Sequence, residues 1–313
     1  MSDLEVVPYD PARREDIFAL LASGGHEADG PLFDWWFDGN PVGPRTIFLS
    51  VDGDGRVAGI LGASFYRSVV GGREALVALP LWAVTDSAFR GRGVFQRLNE
   101  AIEAAAREAG AVAELGFTNR LAGPIYIAKL GWQDIDHLRI WARVRKPVGA
   151  LRAARAGTRL TLPSAATGPF GAEHEAAYRA LAPALPSHFV RDTPYLNWRY
   201  AHAPRPYRAF TSRHGYVIAG IARKKGLLTS YVADLVAPPD SFRETRWLLR
   251  RCIGAFEEAH AVLALAPSTP AQKRAFVSAG FVPTPETIRL IGTPLEGSLP
   301  GAWHFTLGDT DYF

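Results

Sequence analysis

The chain matches itself, and that repetition constrains its fold more than any other feature. "LFDWWFDGNP" (32–41) stands over "YLNWRYAHAP" (195–204), with Trp35 over Trp198, Phe37 over Tyr200 and Pro41 over Pro204. "VAGILG" at 57 aligns with "IAGIAR" at 218, "VTDSAFRGRGVFQRL" (84–98) with "VAPPDSFRETRWLLR" (236–250), and "AKLGW" with "VSAGF". Each match is short, but the offsets all fall at about 150 to 163 residues and in one order, as a tandem duplication requires. A length of 313 residues suits two domains of roughly 150 each. The expected division is a first domain at 1–146, a linker at 147–163 within "RKPVGALRAARAGTRLTLP", and a second domain at 164–313.

Within the first half, apolar and β-branched runs alternate with Gly/Asp turns. "LEVVPY" reads as an edge strand, and Asp10–Pro11 as the cap and first turn of a helix through "REDIFALLAS". Residues 24–44, rich in Gly, Asp and aromatics, read as a loop. "RTIFLSVD", "VAGILGASFYRSVV" and "ALVALPLWAVT" then form a meander of strands. "GVFQRLNEAIEAAAREAG" is a helix whose apolar residues Val94, Leu98, Ile102 and Ala105 recur at helical spacing, with Gly110 at its end. "AVAELGFT" is a strand, "GPIYIAKLG" a short helix and "HLRIWARV" a last strand, so the order is β-α-β-β-β-α-β-α-β.

Composition excludes several function classes. The chain is 48% hydrophobic and 21% charged, so it folds around ample cores. Its net charge of +4 is spread along the sequence, which argues against a nucleic-acid partner. No apolar run reaches the length of a membrane span and the first residues lack a signal-peptide core, so the expectation is a cytoplasmic protein with no membrane partner. The eight histidines never fall at metal-ligand spacing, and no metal is expected. The single cysteine, Cys252, lies in a helical pattern and reads as core. "GRGVFQ" places Gln96 where a dinucleotide fingerprint needs a small residue.

The chemistry concentrates in residues 84–98. A strand ends at Val84 and Thr85, a turn carries Arg90, Gly91, Arg92 and Gly93, and a helix begins at Val94. Helix N-termini expose unpaired N–H groups and about half a positive charge. Glycines let an anion approach the main chain, and arginines match phosphate oxygens. This is an anion cradle by construction, with a solvated basic helix start as the alternative.

The stretch Arg90, Gly91, Arg92, Gly93, Val94, Phe95 resembles the acetyl-CoA signature of the GCN5-related N-acetyltransferase (GNAT) superfamily, R/Q-x-x-G-x-G/A. It departs from the pattern at Phe95, where the signature has a small residue. A second motif follows about thirty residues on: Asn119, Ala122, Tyr126, Gly131 and Trp132 in "NRLAGPIYIAKLGW" are similar to the family's N-x-x-A-x-x-x-Y-x-x-x-x-G-(aromatic) arrangement. The resemblance implies an α/β fold with a mixed sheet: two GNAT-like domains in tandem, each a mostly antiparallel sheet flanked by helices. It further implies that the strand holding Pro80 bulges and splays from its neighbour to admit a pantetheine arm. In the second half the cradle positions hold Phe242, Arg243, Glu244 and Thr245, and Ser268 and Ala275 replace Asn119 and Tyr126, so that copy reads as degenerate.

As implied by the resemblance, acetyl-CoA is the co-substrate and a small-molecule amine the acceptor, with direct attack on the thioester. Ala83, Val84, Thr85, Arg90, Gly91, Arg92, Gly93, Val94, Phe95, Asn119 and Ala122 would bind the cofactor. Tyr126 would protonate the leaving sulfur. Glu114 and the C-terminal carboxylate of Phe313 are candidate bases, with a structural carboxylate and a plain tail as the alternatives. Trp36, Phe37, Phe65 and Tyr66 would line the acceptor pocket; Trp35, matched by Trp198, reads as core. A Fem-like aminoacyl transferase and a non-catalytic acyl-CoA-binding protein are the rival readings, and the chain is expected to be a monomer or a homodimer.

Overall fold

The structure, a computed structural model, describes residues 4–25, 30–118, 123–146, 162, 167–224 and 226–310. Two compact units emerge, one of Met1–Asp136 with Arg289–Gly301, the other of His137–Ile288 with Ala302–Phe313.

In the first unit, strand β1 (Glu5–Pro8) leads through a 3-10 turn into α1 (Arg14–Ser23). Asp10 caps that turn by accepting the Ala12 N–H at 2.9 Å. Helix α2 (Gly30–Phe37) follows, within the stretch expected to be a loop. It forms because burial outweighs its poor composition: Leu32, Phe33, Trp35, Trp36 and Phe37 are all buried. Then come β2 (Thr46–Val51), β3 (Val57–Val70) and β4 (Arg73–Thr85), an antiparallel meander with β1 at its edge. Gly71 and Gly72, at φ 57° and 83°, make the β3–β4 turn, which needs two left-handed residues to follow the strand twist.

Helix α3 (Val94–Glu108) crosses from β4 to β5 (Ala111–Thr118), which therefore pair in parallel. Its buried stripe is Val94, Leu98, Asn99, Ile102 and Ala106, with Ala106 taking the place expected of Ala105. Val94, Leu98 and Ile102 close over Ala58, Leu61 and Ala63 of β3. Helix α4 (Gly123–Leu130) follows, then β6 (Gln133–Val144). The last strand of this unit comes from far along the chain: in β12 (Val282–Pro294), Arg289–Pro294 pair antiparallel with Thr118–Ala113 of β5.

The second unit repeats this grammar. After α5 (Ala172–Leu181), β7 (His188–Phe189), α6 (Thr193–Leu196) and a π-helical turn (Asn197–Ala201) come β8 (Tyr207–Thr211), β9 (Tyr216–Lys224) and β10 (Leu227–Val236), again an antiparallel meander. Helix α7 (Phe242–Gly254) crosses to β11 (Ala261–Leu265), parallel to β10. Helix α8 (Pro270–Ser278) precedes β12. Here the closing strand is β6, whose Ile140–Val144 pair antiparallel with Leu265–Ala261 of β11. The expected boundary at 146 thus differs from the division between Asp136 and His137, because β6 begins in one unit and ends in the other. Most of the expected linker, 147–161 and 163, lies outside the described residues.

A buried ionic cluster fixes the second unit's end. Arg191 Nε donates to Asp234 at 3.0 Å, Arg191 Nη2 to Asp309 at 2.6 Å, and the Tyr195 hydroxyl to Asp309 at 2.9 Å. Burial pushes the Asp234 carboxyl up, and the Arg191 guanidinium beside it opposes that.

Candidate active site

Three local irregularities of β4 and α3 build a groove. The first is a bulge. The β3–β4 ladder steps from Ile60–Val84 to Gly62–Leu81, so Trp82 and Ala83 stand opposite Leu61 alone. Trp82 takes φ 59°, the one positive value at a non-glycine among the described residues. Such a conformation costs about 1–2 kcal/mol. The rings of Phe33 and Phe37, centred 5.7 and 5.5 Å from the indole, hold it in place.

The second irregularity is a parting of strands. β4 pairs with β5 only over Leu76–Ala78, opposite Ala111–Glu114. Pro80 has no N–H to extend a ladder. Beyond that point one edge of β4 has no partner in β5. The alternation of antiparallel bonds shows which groups face that side. The Asp86 N–H donates to the Ala58 carbonyl at 2.9 Å, so two residues back the Val84 amide also belongs to the β3 ladder. Thr85 lies between them and directs its amide the other way, while Ala83 is the unpaired bulge residue.

The third is the glycine turn. Asp86 starts it, accepting the Ala88 N–H at 2.8 Å and an Arg56 guanidinium N–H at 2.5 Å, and both bonds hold its carboxyl below the usual range. Gly91 and Gly93 follow at φ 78° and 77°. A Cβ at either would meet no atom within 4 Å, so glycine is needed for backbone conformation and leaves open space above the turn. The first bond of α3 runs from the Arg97 N–H to the Gly93 carbonyl at 3.1 Å. The N–H groups of Val94, Phe95 and Gln96 consequently have no acceptor within the helix, the condition for binding an anion there.

These features border a groove of about 650 Å3. Its walls are Ala83 and Thr85 of β4, Phe89 to Gly91, Gly93 to Gln96, and Ile125, Tyr126 and Lys129 of α4. Of the residues expected to bind a cofactor, the structure thus brings together Ala83, Thr85, Arg90, Gly91, Gly93, Val94 and Phe95. Val84 turns to β3, and Arg92 lays its guanidinium 5.2 Å from the Phe89 ring centre. Asn119 and Ala122 lie outside the described residues, as does Phe313. A second depression of about 270 Å3, bordered by Ser23, Gly24, Val84 and Ser87, shares Ala83, Thr85 and Arg90 with the groove.

Tyr126 is 8% exposed. Its ring stands edge-to-face with Phe95 at 5.0 Å and with Trp132 at 4.7 Å. The sequence reading missed Phe89, Gln96, Ile125 and Lys129. Lys129 was within reach, because the position three after Tyr126 shares its side of a helix, and Ile125 lies one turn before Lys129.

Other expected site residues stand elsewhere. Glu114 sits at the last β4–β5 pair, fully buried, and is not part of the groove's wall. Neither carboxyl oxygen has a hydrogen-bond partner. Burial first, and nearby Glu103 second, push its pKa up to about 8 despite Arg107. At neutral pH it is held as the acid, which has a proton to give rather than a site to take one.

Trp36, Phe37, Phe65 and Tyr66 are each at most 5% exposed and none lines either depression. Their expected place in an acceptor pocket is replaced by a packing role. Phe37 holds Trp82, Trp36 packs on Trp35 at 4.6 Å, and Phe65 joins Ala78, Ala106, Ala111 and Leu295 in a core cluster. Both faces of β3 are covered here, so neighbouring residues that point to opposite sides are both buried.

The second unit keeps the parting of strands, since β10 pairs with β11 only from Thr229 to Tyr231. It lacks the cradle. The Ser241 hydroxyl caps α7 by accepting the Glu244 N–H at 3.3 Å, no residue from 241 to 245 has a positive φ, and the Glu244 carboxylate accepts from Ser212. Among the described residues no group of three or more His, Cys, Asp or Glu converges as a metal site would require, and no helix is long and apolar enough to cross a membrane.

No family model and no curated protein matches the sequence. Solved structures do match the fold. A GCN5-related N-acetyltransferase from Kribbella flavida superposes with a TM-score of 0.63 at 19% identity, over 94% of this chain and 71% of that one. Eis1 from Mycobacterium abscessus gives 0.56 at 15% identity, over 94% and 74%. The N-myristoyltransferase of Saccharomyces cerevisiae, with bound myristoyl-CoA, gives 0.66 at 11% identity, over 96% and 84%. The chain has the fold of the GCN5-related N-acetyltransferase superfamily, as two GNAT-like domains in tandem.

Proposed function

We propose that the chain is an acyl-CoA-dependent N-acyltransferase that moves an acetyl group from acetyl-CoA to a small-molecule amine. One observation carries this reading. A single groove joins an anion cradle, an unpaired strand edge and a phenol, the three features that a diphosphate, a pantetheine amide and a leaving thiolate need.

The residues present fit such a donor. Glycines at 91 and 93 leave open space above the turn for a phosphate, and the N–H groups of 94–96 have no acceptor within the helix. Arg90 adds charge at the cradle's rim. Thr85 offers main-chain groups to a pantetheine amide in the manner of an added strand. When bound, the thioester supplies an activated acyl group. Tyr126 gives its proton to the sulfur as it leaves. The smaller depression, across the same stretch of β4, is the approach for the amine.

The test is a screen of amines for release of free CoA thiol. The protein's one thiol, Cys252, is fully buried and pushed up to about 12, so it gives little background. Turnover that depends on one amine class and falls about 100-fold in Tyr126→Phe, at unchanged donor affinity, is the expected result. Acetyl-CoA binding with no turnover, indifferent to Tyr126→Phe, would make the chain a non-catalytic binder instead.

A further inference from the structure

The GNAT-like signature has a small residue at the second position of α3, and this chain has Phe95. A large ring at the mouth of an anion cradle is an obstruction unless it has another task. Its task is visible in the packing. Phe95 does not cover the cradle glycines, whose Cβ directions stay open. It turns toward α4 and meets the Tyr126 ring edge-to-face, at 5.0 Å and 80°. Trp132 also packs edge-to-face on the tyrosine, at 4.7 Å and 61° and only 2% exposed. Ile291, fully buried, joins the same cluster, and the Trp132 N–H donates to the Tyr126 carbonyl at 3.4 Å.

We propose that Phe95 is a positioning residue: with Trp132 it clamps the Tyr126 ring and so fixes where the phenol oxygen stands in the groove. The inference rests on the reading of Tyr126 as proton donor. Two edge-to-face partners leave an aromatic ring one favourable orientation, because its electron-rich face seeks the positive edges of its neighbours. A donor fixed before substrate arrives needs no reorganisation during proton transfer, and small misplacements of reacting groups are costly in rate. The clamp couples the first turn of α3 to α4. The helix end that holds the donor's phosphates also sets the acid.

Four proteins test this: wild type, Phe95→Ala, Phe95→Tyr, and Phe95→Ala combined with Tyr126→Phe. Phe95 is half-buried at a helix start, so its replacement leaves the fold standing. In Phe95→Ala, kcat should fall about 10- to 100-fold while the KM for acetyl-CoA moves less than about threefold. Phe95→Tyr keeps an aromatic edge and should restore most of kcat. In the Tyr126→Phe background, Phe95→Ala should cost nothing further. A loss confined to KM, or one that persists in that background, overturns the proposal.

A second readout does not depend on catalysis. In protein with 13C-labelled tyrosine rings, the Tyr126 signals are those absent from Tyr126→Phe. They should show slow ring flips in wild type and fast ones in Phe95→Ala; equal flip rates would remove the clamp. Slow flips in a protein that no amine activates would leave the clamp intact and defeat only the assignment of acyl transfer.

Discussion

Replacing Gly93 with aspartate separates the two things that residue does. In the free protein the cost is conformational. Gly93 lies at φ 77°, and an added Cβ would meet no atom within 4 Å, so the penalty is the left-handed backbone alone, about 1 kcal/mol. For a unit of this size that lowers Tm by roughly 2–4 °C. With donor present, a carboxylate would stand over the three open N–H groups of α3. Taking roughly 5–6 Å to each of two phosphate charges and an effective dielectric constant of about 40, each pair repels by about 1.5 kcal/mol. Screening by buffer salt reduces the sum to roughly 2–3 kcal/mol, or about 30- to 150-fold in Kd. Calorimetric titration with acetyl-CoA at fixed ionic strength measures this, with a thermal melt as control for folding. Gly93→Ala should fall between wild type and aspartate, and the aspartate penalty should shrink as salt rises. A folded Gly93→Asp protein that binds acetyl-CoA within twofold of wild type would show that the glycine turn is not the phosphate site.

Other expectations follow from burial. The Glu114 carboxyl is raised from 4.5 to about 8, so the folded state keeps a proton that the unfolded chain has lost. Stability from this group is complete below about pH 4.5 and falls by about 1.4 kcal/mol per pH unit until about pH 8. Glu114→Gln does not titrate, so its Tm relative to wild type should climb between pH 5 and 8; a constant difference would contradict the buried acid. Arg191→Met strands Asp234 and Asp309, both fully buried, and should cost about 3–5 kcal/mol, or roughly 6–20 °C in Tm. A loss under about 1 kcal/mol would contradict a stabilising role for these ion pairs.

The local elements were legible because each is written in neighbouring residues. The bounds of β5 follow from "AVAELGFT" and those of α4, to within one residue, from "GPIYIAKLG", and α3 from its apolar spacing and the glycines on either side. The cradle is local as well, since a left-handed turn before a helix needs little beyond two glycines. Helix α2 was not legible, because Gly, Pro, Asp and aromatics dominate it and its residues are driven together by the aromatic core that they enter. The burial of Trp36, Phe37, Phe65 and Tyr66 was not legible for the same reason: an aromatic side chain suits a pocket or a core equally well until both faces of its strand or helix are known.

The sequence by itself determined the duplicated plan, the order of the first half's strands and helices apart from α2, and the decay of the cradle in the second copy, for all of these are patterns of residue type and spacing. Tertiary structure alone decided that β12 closes the first unit and β6 the second, since any strand with a free edge and a matching apolar face could have filled either place. It alone showed that Val84 faces β3 while Thr85 faces the groove, a matter of ladder register. It alone showed what Phe95 packs against, since its partner Tyr126 lies a helix and a strand further along the chain. Backbone conformation is set by near neighbours; the partner of a side chain is set by packing, which no local pattern encodes.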